Sequence, residues 1–276
     1  MKKIDLHIHS NFSDGTRHPK DIIRETKEMG FDVISITDHD TLDGYKAGKK
    51  LAKHLGLELV PGVEVSTYYQ SFDVHILAYF VDIHNRQLLN MLKYLQKGRI
   101  LRAQKILDKL EEYGMNLKIK DVFEHVENKK VVGRPHIATA MVEKDYATYE
   151  EAFWHYIGND RPAYVRKPTF PPEEVIKVIK EAGGVSILAH PGVIKNDFII
   201  PDLVDFGLNG LEIFYPLHSL YQRQNYLELA ERYGLLVTGG SDYHGFARKN
   251  EEYGQAMLKE SYYNELLAHK DRKYAN

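Results

Sequence analysis

The sequence predicts an α/β fold, a barrel of seven strands interrupted by a helical insertion, and three observations carry that reading. Short runs rich in Val, Ile and Leu alternate with helical patterns, as in βαβ units around a mostly parallel sheet. Several of those runs end in a histidine or a carboxylate. Residues 87–166 abandon the alternation altogether.

In chain order, strands are expected near 3–8, 32–37, 57–65, 73–80, 185–189, 210–214 and 235–239. Helices over 19–29, 43–55, 171–183 and 219–233 lie between them. The first and third open on Pro19 and on Pro171-Pro172, where a helix has no N–H bond to lose. The third and fourth strands are too close for a crossover helix, so Tyr68–Phe72 is read as a hairpin connection and the barrel as irregular there. Within 87–166, Leu88, Leu92 and Leu95, then Leu101, Ile106 and Leu110, then Val122 and Val126 recur in helical pattern with no convincing strand. The expected organisation is therefore a barrel of residues 1–86 with 167–276, carrying 87–166 as an inserted helical subdomain. The chain returns from it through Arg161-Pro162-Ala163 and Lys167-Pro168. The lysine-bearing tail after His269 is expected to be loose.

A chain of 276 residues, 43% hydrophobic and 28% charged, can bury a sizeable core. No apolar stretch approaches the length that crosses a bilayer. The opening MKKIDLHIHS is too polar for a secretory signal, so the cytoplasm is the expected compartment. The absence of cysteine excludes disulfides, disulfide-linked partners and thiolate metal sites. Any metal must be held by imidazole and carboxylate, a donor set that suits Mn, Fe, Zn or Mg. A net charge of −2 gives no global attraction for nucleic acid, so an anionic ligand needs local charge. Lys97, Arg99, Arg102 and Lys105 offer one source, and Lys129, Lys130 and Arg134, with Arg161, Arg166 and Lys167 further on, the other. Any one of these cations is more readily part of a solvated helix face.

Asp5-Leu6-His7-Ile8-His9 places two histidines two apart on a strand, hence on one face, a geometry that suits one metal ion. Alone, such a pair is as readily two ordinary polar residues. Asp14 lies in Ser13-Asp14-Gly15 just past that strand, where an Asx turn is nearly as good an explanation. His39 ends the apolar run Val33–Ile36 and Glu64 ends the next, at the carboxyl ends of strands, where barrel and open-sheet enzymes build their sites. His75 sits inside an apolar strand, as a hydrogen-bonded core histidine would. His190 terminates Val185–Ala189, and Asp242 and His244 follow Leu235–Gly239. Each is weak evidence singly, but nine candidate ligands gathered at strand ends are not scattered core residues. They exceed the four or so that one zinc takes, so two or three ions are implied, with Glu64 as a bridge.

The motifs Asp5–Ser10, Thr37–Asp40, Pro61–Glu64, Ala189–Pro191 and Gly240–His244 resemble the PHP (polymerase and histidinol phosphatase) superfamily over residues 1–84 and 168–276. Within it, the spacing of His7, His9, Asp14, His39, Glu64 and His75 is most similar to the TrpH-like subgroup. That subgroup includes 3′,5′-nucleoside-bisphosphate phosphatases and a 5′→3′ exoribonuclease, and carries a helical insertion in the same place. The resemblance implies a distorted (β/α)₇ barrel with a trinuclear metal centre. It implies one ion on His7, His9, Glu64 and Asp242, a second on Asp14, His39 and His244, and a third on Glu64, His75 and His190. Asp14 stands where many members have histidine, in agreement with the subgroup. Gly133-Arg134-Pro135-His136-Ile137-Ala138 resembles the subgroup's substrate-contacting segment.

The expected activity is hydrolysis of a nucleotide or short RNA phosphate ester by metal-activated water, with two or three divalent ions, Mn first among them. Glu64, Asp242, His190 and Arg134 are the expected catalytic residues. Arg134 would clamp a phosphate bidentately, and His136 would touch substrate, although a helix-start role fits it too. Arg99 and Arg102, three apart on one helix face, would meet a second phosphate. Two rivals share these motifs. One is a histidinol-phosphate phosphatase, against which the arginine-bearing insertion speaks. The other is a non-catalytic module for nucleic acid or a polymerase, against which the complete ligand set speaks.

Overall fold

A computed structural model describes residues 2–245 and 252–274. The chain runs β1 (Ile4–Ile8), α1 (Pro19–Glu28), β2 (Val33–Ile36), α2 (Asp43–Leu55), β3 (Glu58–Leu59), β4 (Gly62–Tyr69) and β5 (Phe72–Tyr79). Four helices follow, α3 (Arg86–Glu111), α4 (Ile119–Phe123), α5 (Arg134–Glu143) and α6 (Tyr149–Glu151), with a π-helical turn over Ala152–Ile157. It ends with α7 (Pro172–Glu181), β6 (Val185–Leu188), α8 (Pro191–Ile194), α9 (Ile199–Asp205), β7 (Gly210–Phe214), α10 (Leu220–Tyr233), β8 (Leu236–Gly239) and α11 (Glu260–Tyr274).

Strands such as Val-Ile-Ser-Ile of β2 are buried on both faces, which is why they read as continuous apolar runs. β1, β2 and β3 form one parallel sheet. The second sheet has the order β4-β5-β6-β7-β8, antiparallel from β4 to β6 and parallel from there to β8. Backbone bonds join the sheets at two places. His9 N–H donates to Tyr243 beyond β8 at 2.8 Å, and Asp40 N–H beyond β2 donates to Glu64 of β4 at 2.9 Å. This circuit is consistent with a distorted barrel.

The stretch 57–65, expected as one strand, is two. Pro61 has no N–H, and on either side of it β3 pairs with β2 while β4 pairs with β5. The hairpin at Tyr68–Phe72 turns on Gln70 and Ser71, both at positive φ, as a tight two-residue connection requires. The tail beyond His269, expected to be loose, continues α11 as far as Tyr274. The short helices α8 and α9 occupy the β6–β7 crossover, where no helix was expected.

Residues 87–166 hold no strand among the described residues, and they gather an apolar cluster of their own around Ile106, Leu110, Val122, Ile137 and Met141. α3 belongs to both parts. Leu88, Leu92 and Leu95 pack into the core under β4 and β5, whereas Ala103, Ile106 and Leu110 pack among the inserted helices. At the junction Arg99 donates from Nε to Asp40 Oδ2 at 2.7 Å and from Nη2 to Ser66 Oγ at 3.0 Å, all three residues being buried. Burial opposes ionisation of Asp40, yet the Arg99 guanidinium holds its carboxyl below the usual range. Removing one partner of such a pair leaves an uncompensated charge. Asp40→Ala is expected to lower unfolding free energy by about 3–5 kcal/mol in urea titrations. Glu111→Ala, at the exposed pair with Lys118, is expected to cost less than about 1 kcal/mol.

Candidate metal centre

β1 delivers His7 and, one residue past its end, His9, with neither side chain exposed. The exit of β8 passes directly alongside. A Cβ at Gly240 would collide with the backbone nitrogen and Cβ of His7, so only glycine lets that segment approach and present Asp242 and His244. Asp242 N–H donates to His7 O at 2.8 Å, fixing the two segments in register. Asp5 and Asp38 are buried scaffolding. Asp5 accepts from Ser241 N at 2.9 Å, and Asp38 accepts from Ser10 Oγ and Ser13 Oγ at 2.6 Å each, which shapes the loop that carries Asp14.

Glu64 stands at the centre of the cluster. Its Oε1 lies 2.8 Å from His75 Nδ1 and 3.0 Å from His190 Nε2, and its Oε2 lies 2.9 Å from His39 Nδ1, 3.1 Å from His9 Nε2 and 3.4 Å from His7 Nε2. Asp242 Oδ1 is 3.2 Å from His7 Nε2 and 3.1 Å from His9 Nε2. Asp14 sits 3.5 Å from His244 Nε2 and 3.7 Å from His39 Nε2. All nine expected ligands are thus brought together, and eight of them, all but His190, fall into three groups whose donor atoms lie within 4.8 Å of one another, close enough to share a cation. These are His7, His9, Glu64 and Asp242; His9, Asp14, His39 and His244; and His39, Glu64 and His75. Two details differ from the expected sets. His9 faces the second group as well, although its Nδ1 is 3.4 Å from Ser13 Oγ and its Nε2 points to Glu64 and Asp242. The third group contains His39, whereas His190, expected there, lies 3.0 Å from the Glu64 Oε1 that also faces His75.

The donors fit cations. Glu64 Oε2, Asp14 Oδ1, His39 Nδ1 and His190 Nδ1 are buried without a hydrogen-bond partner among the described residues; His39 Nδ1 and Glu64 Oε2 are close but misaligned. Orphaned lone pairs cost free energy unless a positive charge meets them. Burial opposes ionisation of Glu64, but His39, His75 and His7 hold its carboxyl well below the usual range; Asp14 is lowered in the same way by His39 and His244. Burial disfavours charge on His9, yet Asp242 and Glu64 raise it to about 10. The pocket is therefore a strong electrostatic trap for protons or cations.

Sequence reasoning missed Glu212, fully buried on β7. Its Oε1 lies 2.9 Å from His7 Nδ1 and its Oε2 accepts from His190 N–H at 2.8 Å. A carboxylate only accepts, so Glu212 holds a proton on His7 Nδ1, and Nε2, on the side of Glu64 and Asp242, is the nitrogen His7 would offer a cation. The available signal was a glutamate inside Gly-Leu-Glu-Ile-Phe, a strand otherwise fit for burial on both faces. Tyr215, whose hydroxyl donates to Asp242 Oδ2 at 3.2 Å, was missed as well.

Three of the four expected substrate residues, Arg99, Arg102 and Arg134, line a cavity of about 370 Å³ beside this cluster, with Asp14, His39 and His75 in the same wall. Arg99 is more committed than expected, because Asp40 and Ser66 already take its donors. Arg102 donates from Nε to Val165 O at 2.6 Å, and burial beside Arg134 and Arg99 lowers it to about 9. Arg134 donates to Ile157 O at 3.1 Å and Asn159 Oδ1 at 2.8 Å, and its guanidinium lies 5.4 Å from the Tyr164 ring. Lys167 joins them, its Nζ 3.0 Å from His75 Nε2; burial and Arg99 lower it to about 8. His136 is occupied differently. Its Nδ1 accepts from Gly133 N–H at 2.9 Å across the first turn of α5, and it lines the adjoining cavity, not this one.

The chain belongs to the PHP family: the PHP domain matches residues 5–158. It is 32% identical over 245 residues, 87% of this chain and 94% of the relative, to the phosphoribosyl 1,2-cyclic phosphate 1,2-diphosphodiesterase of Eggerthella lenta. It is 29% identical over 265 residues, 92% and 91% of the two chains, to the 3′,5′-nucleoside bisphosphate phosphatase of Chromobacterium violaceum. A 5′-3′ exoribonuclease of Haemophilus influenzae is 30% identical over 249 residues, 88% of this chain and 90% of that one. Among solved structures, a protein of Bifidobacterium adolescentis assigned as a metal-dependent phosphoesterase superposes with a TM-score of 0.89 at 30% identity, covering 96% of this chain and 95% of that one.

If Glu212 fixes the His7 tautomer, Glu212→Gln should leave the fold intact but weaken divalent-cation affinity about 10- to 100-fold. Metal titration followed by elemental analysis measures this; unchanged affinity would remove Glu212 from the centre.

Proposed function

We propose that this chain is a phosphoesterase that hydrolyses a phosphate ester on ribose when the substrate carries a second phosphate, as in a 3′,5′-bisphosphonucleotide or a short 5′-phosphorylated RNA. The observation that carries the reading is the juxtaposition of two unlike surfaces: a buried cluster of imidazoles and carboxylates, and, in the adjoining wall, Arg102, Arg134 and Lys167. A cavity of 370 Å³ suits a nucleotide-sized ligand. Related chains named as a bisphosphate phosphatase and an exoribonuclease support the substrate class. A second reading, opening of a phosphoribosyl cyclic phosphate, is favoured by the Eggerthella lenta relative and shares the same ribose-phosphate chemistry.

His7, His9, Glu64 and Asp242 would hold one divalent cation, Asp14, His39 and His244 a second, and Glu64 and His75, with His39 or His190, a third. Bound there, such ions, manganese first among candidates, supply Lewis acidity toward phosphoryl oxygens and a lowered pKa for water. The chain's own part is positional and electrostatic. Glu64 and Asp242 set the spacing of the imidazoles, and Glu212 orients His7. Arg134 and Arg102 offer cationic N–H donors to the substrate's second phosphate, and that contact positions the reacting ester. Lys167 adds an ammonium beside His75. The helices of 87–166 act as a lid that brings Arg134 to the second phosphate, and no side-chain nucleophile is needed. The complete donor set disfavours a non-catalytic module, and the arginine-lined wall disfavours histidinol phosphate. The compartment we propose is the cytoplasm; no helix among the described residues is long and apolar enough to cross a membrane.

EDTA treatment followed by desalting should abolish hydrolysis of 3′,5′-bisphosphoadenosine, and Mn²⁺ should restore it. Full activity after verified metal removal contradicts the reading. A panel of 3′,5′-bisphosphoadenosine, 5′-phosphorylated RNA and 5-phosphoribosyl 1,2-cyclic phosphate ranks the substrates. Arg134→Ala should lower kcat/KM for the bisphosphonucleotide about tenfold to a hundredfold, the worth of a charge-assisted contact of about 1.5–3 kcal/mol. p-Nitrophenyl phosphate should be far less affected, because remote binding energy positions the natural ester and not the small one. Equal losses would place Arg134 at the scissile phosphate.

A further inference from the structure

The arginine-lined cavity has two neighbours of opposite charge. One, of about 860 Å³, shares Asp14, Pro135 and Tyr149 with it; Glu124, Glu127 and Glu150 also line this neighbour and, among the described residues, no lysine or arginine does. The other, a groove of about 590 Å³, shares Arg102 and Lys167 with it. Lys97, Lys105 and Arg166 complete the cationic lining of that groove, and no carboxylate among the described residues enters it.

The groove runs along the seam between α3 and residues 165–169. Gly98 makes the seam close, since a Cβ there would collide with the Pro168 ring. Lys97, Leu101 and Lys105 fall four apart and so share one helix face, a stripe about 12 Å long. Lys97, Lys105 and Arg166 are exposed. Leu101, 66% exposed, stands between Lys97 and Lys105, and Tyr94, 56% exposed, lies about one turn before Lys97 at the end of the stripe. Arg166 lies 3.1 Å from the centroid of the Tyr68 ring, which holds its guanidinium in place. Exposed cations that track a backbone, interleaved with an aromatic and an apolar face, are what single-stranded nucleic acid uses without sequence preference. An elongated polyanion leaving the arginine cavity is attracted into this groove and repelled from the acidic neighbour.

We infer that the groove lined by Lys97, Lys105, Arg166 and Tyr94 is a binding site for the part of a single-stranded polynucleotide that extends beyond the phosphate being hydrolysed. This rests on the phosphoesterase reading, and it makes a chain of several nucleotides a better-held substrate than a mononucleotide. Each phosphate neutralised by a groove cation releases counterions, so binding of the longer substrate should be the more salt-sensitive.

The test compares wild type with the triple variant Lys97→Ala/Lys105→Ala/Arg166→Ala. The probe is a 3′-fluorescein-labelled, 5′-phosphorylated phosphorothioate hexaribonucleotide, read by anisotropy with the metal-loaded protein. The variant should bind at least tenfold more weakly. The slope of log Kd against log salt should fall by about 2, since each single-strand phosphate contact contributes about 0.7. Tyr94→Ala should weaken binding about fivefold or more through lost stacking. Lys97→Arg/Lys105→Arg should bind like wild type, and kcat/KM for 3′,5′-bisphosphoadenosine should stay within twofold throughout. Unchanged hexanucleotide affinity and salt slope in the triple variant overturns the inference. So do parallel losses for hexanucleotide and bisphosphoadenosine, or equal displacement of the probe by an oligoglutamate of the same charge. If wild type hydrolyses no phosphate ester, the functional reading falls, while the anisotropy comparison still decides the groove.

Discussion

Glu64 is a fully buried carboxylate facing imidazole nitrogens of His7, His9, His39, His75 and His190, and this grouping governs the rest of the molecule. A carboxylate donates nothing, and a neutral imidazole carries one proton on two nitrogens. Protons alone leave Glu64 Oε2 and His39 Nδ1 facing one another 2.9 Å apart without a hydrogen bond. A divalent cation held by these residues would remove the conflict. The arrangement is costly as a protein interior and favourable as a metal centre.

That cost is distributed over the fold. The five imidazoles arrive from β1, from the segments after β1, β2 and β6, and from β5, so no local stretch of chain could assemble them. The backbone at three strand ends is bent to aim the groups: Asp40, His190 and Asp242 have φ of 52°, 28° and 52°. Side chains with a Cβ rarely adopt such values, and surrounding bonds have to hold them. Asp40 N–H is bound to Glu64 O, His190 N–H to Glu212 Oε2, and Asp242 N–H to His7 O, each at 2.8–2.9 Å. Each anchor is itself a residue of the centre or its immediate support, so the strained turns and the donor cluster stabilise one another.

The division between what the sequence disclosed and what it concealed follows from this. His7, His9, His39, His190, Asp242 and His244 were visible because each interrupts or terminates an apolar run, where burial would otherwise forbid it. Glu212 interrupts a run in the same way, but its partners lie 205 and 22 residues distant and no neighbouring motif gives it meaning. Asp40 was hidden beside His39 for the opposite reason. Its partner is Arg99, and from sequence an arginine awaiting a carboxylate looks the same as one awaiting a phosphate. The division of 57–65 into β3 and β4 was also concealed, although Pro61 marked the place. Single strands were legible by hydropathy, whereas the pairing on either side of the proline depended on which neighbour each half met.

The arginines show how the fold leaves charge available for a ligand. Of the three in the cavity wall, Arg99 is neutralised by Asp40 inside the protein. Among the described residues, Arg102 and Arg134 find only a carbonyl, or a carbonyl and an amide oxygen, as hydrogen-bond partners. Those contacts fix the orientation of a guanidinium without cancelling its charge. Burial and mutual repulsion accordingly lower Arg102 to about 9, and Arg134 is lowered by burial. Two unneutralised guanidinium groups held together are a local destabilisation that a well-packed apolar wall would not carry. An anion with more than one negative oxygen relieves it on entering. The carboxylates and imidazoles of the candidate centre face the same cavity through Asp14, His39 and His75, opposite the cationic wall. On the proposed reading, a substrate with two phosphates spanning that gap would be oriented before any bond is broken, one phosphate toward the arginines and the other beside the donors gathered around Glu64.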